Sequence, residues 1–186
     1  MQVTLVTGNQ GKLDEIKKII HPKIELKSQD LDITEIQSQS LEEVSKNKAI
    51  QAYEKLKSPV LVDDTGVYFN KYPDFPGVFA KFVYQSLGKD GIKRLFDGLE
   101  DNSGSMQTVI SYMDNSLSEP ISFLGKAEGK FETHHIDEVP ENSLPYNYIF
   151  VPNGWNQTVA QNYDLWKSDF SQRKKAIQQF NQYIGY

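Results

Sequence analysis

Apolar positions in this chain recur at two spacings, and the change from one to the other marks out its elements. Residues 2 to 6 form an apolar run that reads as a buried strand, and Leu13, Ile16, Ile19 and Ile20 then recur at the period of a helix face. Ile24-Glu25-Leu26 alternates as a second strand. Leu41 to Leu56 reads as a helix with Ser40 as N-cap and Glu43 three residues on, the spacing of a capping box. After Pro59, Val60-Leu61-Val62 is a continuous apolar strand that runs into Asp63-Asp64-Thr65-Gly66, read as a charged turn at the strand end. Phe75-Pro76-Gly77 opens a short helix over Val78 to Leu87, and Gly91 to Leu99 predicts another. Beyond the polar linker Glu100 to Ser105 the pattern turns to strands. These are Thr108 to Met113 and Pro120 to Phe131, the second with Gly125 and Gly129 read as bends, and the turn-rich Asp114 to Glu119 lies between them. Acidic, proline-containing Ile136 to Pro145 reads as a mobile loop, Tyr148 to Val151 as a strand, and the segment from Ser168 or Asp169 to Ile184 as a closing helix. A β-α start followed by an antiparallel second lobe, roughly residues 105–155, predicts one α/β folding unit over 1–186.

Composition narrows the chemistry. The 186 residues, 38% hydrophobic and 12% aromatic, suffice for one well-packed domain or two lobes sharing a sheet. With no cysteine, disulfides, thiolate nucleophiles and cysteine-type zinc sites are excluded. No apolar run approaches the roughly 20 residues of a membrane span, and the N-terminus lacks a signal-peptide pattern, so a cytoplasmic protein with no membrane partner is expected. Twenty Lys and Arg against 25 Asp and Glu give a net charge of −5, which argues against a nucleic-acid-coating surface.

Local charge is more informative. Thr7-Gly8-Asn9-Gln10-Gly11-Lys12 joins the first strand to the first helix, so backbone N–H groups, the positive helix end and Lys12 converge on one spot suited to phosphate. It is not a Walker A loop, since Gly8 and Gly11 are too close and Leu13 stands where the hydroxyl residue belongs. The same residues also make an ordinary βα turn. Asp63 and Asp64, interrupting a buried strand, predict one carboxylate in a cleft and the other on the opposite side, a setting for magnesium, or else a pair of turn formers. Glu35, Lys48, Lys81 and Lys167, each taken singly, read as solvated surface charges. His134 and His135, adjacent in a presumed strand, face opposite sides and are poor partners for one metal, while His21 suits a helix C-terminus. No G-x-S-x-G nucleophile elbow is present.

Taken in order, Thr7-Gly8-Asn9-x-x-Lys12, Val62-Asp63-Asp64-Thr65-Gly66, Pro76-Gly77 with Lys81, the Gly125/Gly129 hairpin, Phe150-Val151-Pro152-x-Gly154 and Ser171-Gln172-Arg173 form a pattern over nearly the whole chain. It resembles the inosine triphosphate pyrophosphatase family, house-cleaning enzymes that cleave deaminated purine nucleoside triphosphates to monophosphate and pyrophosphate with magnesium. The resemblance implies a long, twisted, mixed sheet with helices forming two lobes around a cleft, in a homodimer. It implies triphosphate contacts from Thr7, Gly8, Asn9, Lys12, Lys48, Thr65 and Lys81. Glu35, Asp63 and Asp64 match the acidic residues that hold magnesium or activate water, and Asp64, Glu35 and Lys12 stand as the catalytic set. Tyr146, Asn147, Lys167, Gln172 and Arg173 match positions on the base side.

Two departures fall on that side. Leu144-Pro145-Tyr146-Asn147-Tyr148 stands where the family carries aromatic-Gly-aromatic-Asp-Pro, and Gln172 replaces the histidine of Ser-His-Arg. Asn147 and Gln172 donate as well as accept hydrogen bonds, so an altered or relaxed base preference is expected, each mismatch being worth roughly 1–3 kcal/mol. A nucleotide-binding sensor without turnover is the alternative of another class. A Maf-like pyrophosphatase is a third, without the Thr-Gly-Asn start or the Ser-x-Arg end.

Overall fold

The structure, a computed structural model, describes residues 1–141 and 143–186. Among these, seven strands form one mixed sheet. The chain opens with β1 (Gln2–Val6), α1 (Gln10–Ile19) and β2 (Glu25–Gln29), then α2 (Leu41–Leu56), β3 (Val60–Phe69), β4 (Pro76–Gly77) and α3 (Ala80–Phe96). It continues with β5 (Ser103–Met113), β6 (Ile121–Phe131), a 3-10 helix over Thr133–Glu138, α4 (Tyr146–Ile149) and β7 (Phe150–Pro152). Short turns lead through α5 (Tyr163–Leu165) and a π-helix over Trp166–Phe170 to α6 (Gln172–Tyr183). The strand order is β2-β1-β3-β5-β6-β7, with β4 added to β3. β1 is parallel to β2 and β3, whereas β3, β5, β6 and β7 run antiparallel in turn. The expected mixed α/β sheet is therefore present. No helix among the described residues is long and apolar enough to cross a membrane.

Length in the central strands makes one sheet serve two cores. On β5, Ile110 and Tyr112 join Val3, Leu5, Leu61, Ile177 and Phe180 beneath α1 and α6, while Met106 joins Phe69, Phe96, Phe131, Phe150 and Trp166 at the other end. Phe69 sets its ring edge-on to both Phe96 and Phe131 at 4.8 Å between centroids, the preferred aromatic arrangement. On the opposite sheet face α2 packs Ala49 and Ala52 against Val60 and Val62.

Several local expectations change. Asp63 to Gly66 is not a turn: β3 continues to Phe69, with Asp63 opposite Ile110 and Asp64 opposite Val109 on β5, because the acids find buried partners. Gly125 and Gly129 lie within straight β6 and mark close approaches instead of bends. A Cβ at Gly125 would meet the Gln172 carbonyl oxygen at 1.8 Å and the Ala176 nitrogen at 2.8 Å, so α6 rests directly on the strand there. Tyr148 and Ile149 are helical, and β7 starts only at Phe150. The last helix starts at Gln172, where the Ser171 hydroxyl accepts the Lys174 N–H at 3.0 Å as an N-cap. Of the expected loop Ile136 to Pro145, the described part includes buried Ile136 and Val139, while Asn142 lies outside the described residues.

The Ser40 cap forms, with its hydroxyl accepting the Glu43 N–H at 3.2 Å. Glu43 closes the box indirectly: its carboxylate accepts from the Ser38 hydroxyl, which itself accepts the Ser40 N–H. In α3 the two expected helices meet at Gly88, whose φ of 64° breaks the helical backbone.

Because the atom facing Gly125 is backbone, relief requires moving α6 off the sheet. Gly125→Ala is expected to lower the unfolding free energy by about 3 kcal/mol, at the upper end of overpacking costs. Urea denaturation checks this, and an unchanged midpoint would contradict the contact.

Candidate active site

The N-terminal turn is built by local hydrogen bonds. Asn9 caps α1, its side-chain oxygen accepting the Lys12 N–H at 3.1 Å, and its own N–H donates to the Thr7 hydroxyl at 3.1 Å. No acid sits in the first turn of α1, so the positive helix end is uncompensated within its own sequence. A Cβ at Gly8 would come within 2.6 Å of the exposed Asp30 carboxylate, which would have to swing aside. The cap orients Lys12 toward β3, where its Nζ donates to the Asp63 carbonyl oxygen at 2.8 Å and pairs with the Asp63 carboxylate at 2.6 Å.

Asp63 is the centre of a buried ionic network. Arg173 Nε donates to Asp63 Oδ2 at 2.6 Å and Nη2 to Oδ1 at 3.3 Å. Its Nη1 donates to Glu15 Oε2 at 2.5 Å, and the Ser171 hydroxyl donates to Glu15 Oε1 at 2.7 Å. Nη2 also reaches the Thr65 hydroxyl at 3.3 Å, which is bonded in turn to Thr108 at 2.9 Å. Burial alone would raise the Asp63 pKa, but the charges of Arg173 and Lys12 outweigh it and hold the carboxyl well below the usual range. Arg173 is buried as well, and the Asp63 and Glu15 carboxylates more than offset its desolvation and push its pKa up. Two cations meet two carboxylates, so this network is formally neutral.

Asp64 projects from the other face of β3, as strand alternation requires. Its Oδ1 accepts from Lys48 Nζ at 2.5 Å, and Lys48 is also ion-paired with Glu35. Here one cation meets two carboxylates, leaving a formal excess of negative charge. Burial raises the Asp64 pKa against the pull of Lys48, whereas the Lys48 hydrogen bond lowers that of the more exposed Glu35. Asp64 Oδ2 is buried and has no hydrogen-bond partner among the described residues. An unpaired buried carboxylate oxygen beside a second carboxylate suits a hard divalent cation, which takes oxygen ligands and keeps waters of its own. Asp63 offers no such opening, since both its oxygens already face Arg173 or Lys12.

These groups border a cavity of about 480 Å³. Asn9, Lys12, Glu35, Lys48, Asp64, Thr65 and Lys81 line it, as do Tyr146, Asn147, Gln172 and Arg173. Thr7, Gly8 and Asp63 instead border an adjoining recess of about 210 Å³ that shares Lys12, Glu35 and Lys48 with the main cavity. Lys167 lines neither. Its Nζ pairs with Asp164 at 3.2 Å and lies 4.3 Å from the centre of the Tyr163 ring. Tyr146 is buried, and its hydroxyl donates to the Ala80 carbonyl at 2.7 Å, which anchors the ring in the wall. The Arg173 guanidinium is committed to Asp63 and Glu15. Gln172 is buried, with Oε1 unpartnered among the described residues. Sequence reasoning missed Glu15, which sits one turn after Lys12 on α1 and reads there as an ordinary surface acid.

Fold and site together define an α/β protein whose cleft collects a helix N-terminus, several lysines and an unbalanced carboxylate pair. The chain belongs to the Ham1 family, whose model matches residues 3–183. An inosine triphosphate pyrophosphatase of Pyricularia oryzae is 37% identical over 98% of this chain and 93% of its own length. A dITP/XTP pyrophosphatase of Methanopyrus kandleri is 34% identical over 97% of this chain and 94% of that protein. Among solved structures, the Staphylococcus aureus Ham1 protein superposes with a TM-score of 0.81 at 23% identity, covering 99% of this chain and 98% of its own, a likeness of fold.

The buried network gives a stability prediction. Arg173→Met leaves Asp63 and Glu15 without their shared cation, and is expected to cost about 3–5 kcal/mol in urea denaturation at pH 7. The pH dependence has a definite sign. A folded pKa below the unfolded value of about 3.9 gives Asp63 a stabilisation that is complete above that value and lost as pH falls through the folded one. The stability gap between wild type and Asp63→Asn should therefore hold steady from pH 7 to about 5 and narrow below about 4. A gap that stays constant at lower pH would contradict the assignment.

Proposed function

We propose that this protein hydrolyses purine nucleoside triphosphates of the inosine and xanthosine type, or a related altered-base set, to the monophosphate and pyrophosphate. The observation that carries the reading is the cavity in which Lys12, Lys48 and Lys81 converge with Glu35 and Asp64. Family membership and the printed activities of the curated relatives support it. A nucleoside triphosphate carries about four negative charges near neutral pH, and its hydrolysis gains mostly from positioning and charge stabilisation. The three lysines supply cationic contacts for the phosphate tail, and the capped N-terminus of α1 adds its dipole. Thr7, Gly8, Asn9 and Thr65 extend that phosphate side.

Asp64 is the proposed general base. Its Oδ2 has no hydrogen-bond partner among the described residues, and the residue lines the cavity, from which an attacking water can reach it. Water attacks the α-phosphorus, its proton passes to the carboxylate, and the bond to the β-phosphate oxygen breaks with pyrophosphate leaving. No covalent enzyme intermediate is required, in keeping with a chain that has no cysteine. Magnesium is the proposed cofactor, held by Asp64 and Glu35, where it would supply positive charge to the phosphate oxygens. Lys48, counter-ion of both carboxylates, links the metal side to the phosphate side.

Base recognition is assigned to Tyr146, Asn147, Gln172 and, more peripherally, Lys167, with Arg173 positioning this wall through its buried pairs. Amides at 147 and 172 accept as well as donate, which supports a base preference broader than an acid and a histidine would give. The reading also includes a homodimer, as the family resemblance implies, a cytoplasmic location, with which a chain free of cysteine is compatible, and no nucleic-acid partner, which the acidic net charge supports.

Pyrophosphate release from the inosine, xanthosine, adenosine, guanosine and pyrimidine triphosphates, ribo and deoxy, tests the substrate class. Activity should extend past inosine and xanthosine, and a profile sharply confined to those two would refute the broadened preference. Asp64→Asn is expected to lower turnover at least about a hundredfold while nucleotide binding persists. Wild-type turnover no higher than that of the variant would reduce the function to nucleotide binding.

A further inference from the structure

The adjacent histidines, expected to diverge along a strand, do not. β6 ends at Phe131, and residues 133–138 turn into a 3-10 helix that brings the rings of His134 and His135 to 4.0 Å between centroids. Glu132 lies beside them: its Oε2 is 3.7 Å from His134 Nε2, while its Oε1 pairs with Lys130. One ligand atom from each of Glu132, His134 and His135 falls within 4.8 Å of the others. None of the three borders the cleft cavity.

We infer that Glu132, His134 and His135 form a second metal site, away from the cleft, that takes a transition-metal dication of the zinc or cobalt kind. Two imidazoles and a carboxylate are the donors such ions prefer, whereas magnesium favours oxygen alone. Ligand atoms at about 2.05 Å around a tetrahedral ion sit about 3.4 Å apart, so from the 4.8 Å span the set contracts by at most about 1.4 Å, within reach of side-chain rotations. Three protein ligands leave the fourth position to water.

A fourth residue orients the site. Glu138 Oε1 lies 2.8 Å from His135 Nδ1, and a carboxylate accepting there holds the proton on Nδ1 and leaves Nε2 as the metal-binding nitrogen. The scaffold is anchored. Ile136 is fully buried, the His135 N–H donates to the Glu132 carbonyl at 3.3 Å, and Lys89 donates to the Val139 carbonyl at 2.7 Å. A bound ion would tie the end of β6 to this helix.

The test is titration calorimetry of tag-free protein with zinc chloride and with cobalt chloride in a non-chelating buffer, with magnesium chloride as control. One zinc equivalent per chain is expected, with visible cobalt absorption of tetrahedral type. The double variant His134→Ala, His135→Ala should lose that equivalent and the cobalt bands while keeping the wild-type circular dichroism spectrum, and the single variant His134→Ala, at the exposed ligand, should weaken zinc with no change in metal-free melting temperature. Glu138→Gln, which removes the orienting charge but no ligand, should weaken zinc about 10–100-fold. No stoichiometric zinc binding, or equal binding by the double variant, would overturn the site. This outcome is independent of nucleotide hydrolysis, which is read separately from pyrophosphate release.

Discussion

Everything in the cleft depends on the pairing of Arg173 with Asp63 and Glu15. Three elements far apart in sequence, α1, β3 and α6, meet at this guanidinium, and each contributes a group that could not be buried by itself. Placing a charge in a protein interior costs several kcal/mol even after relaxation, so these residues are either all engaged or the arrangement is lost. Arg173 meets this demand because its planar fork can serve two carboxylates and the Thr65 hydroxyl at once, which a lysine could not do. The apolar core beneath α1 and α6 supplies the gross stabilisation, while the ionic network fixes how the helices lie relative to the strand.

The same strand gives two neighbouring aspartates opposite surroundings. Alternation along β3 turns Asp63 toward α1 and α6, where two cations neutralise it, and Asp64 toward α2, where Lys48 is shared with Glu35. One residue thus holds the scaffold, and its neighbour retains an unsatisfied oxygen. A fully paired carboxylate and one with an open oxygen are separated by a single peptide unit because the pleat turns them to opposite faces.

Much of the fold was legible in the chain. The apolar runs at residues 2–6 and 60–62 and the capped helix over 41–56 appear where periodicity and capping predict them, since these signals are local. Misreadings arose where distant residues decide. Asp63 to Gly66 looks like a turn until Arg173, 110 positions away, makes a buried acid tolerable within a strand. Gly125 looks like a bend until a helix is found resting on it. Most of the candidate residues border one cavity or its adjoining recess, but their roles were not legible singly. Lys48 is indistinguishable from any helix-surface lysine until Asp64 and Glu35 meet it, and Glu15 carries no signal apart from its partner.

The contact at Gly125 separates two properties of position 172. The backbone there is located by its carbonyl against β6, and its helix begins at the Ser171 cap, so neither restraint involves the Gln172 side chain. Whatever side chain stands at 172 therefore starts from the same point on the cavity wall. Exchanging the side chain at 172 would thus alter the cavity wall while both backbone restraints on α6 stay in place.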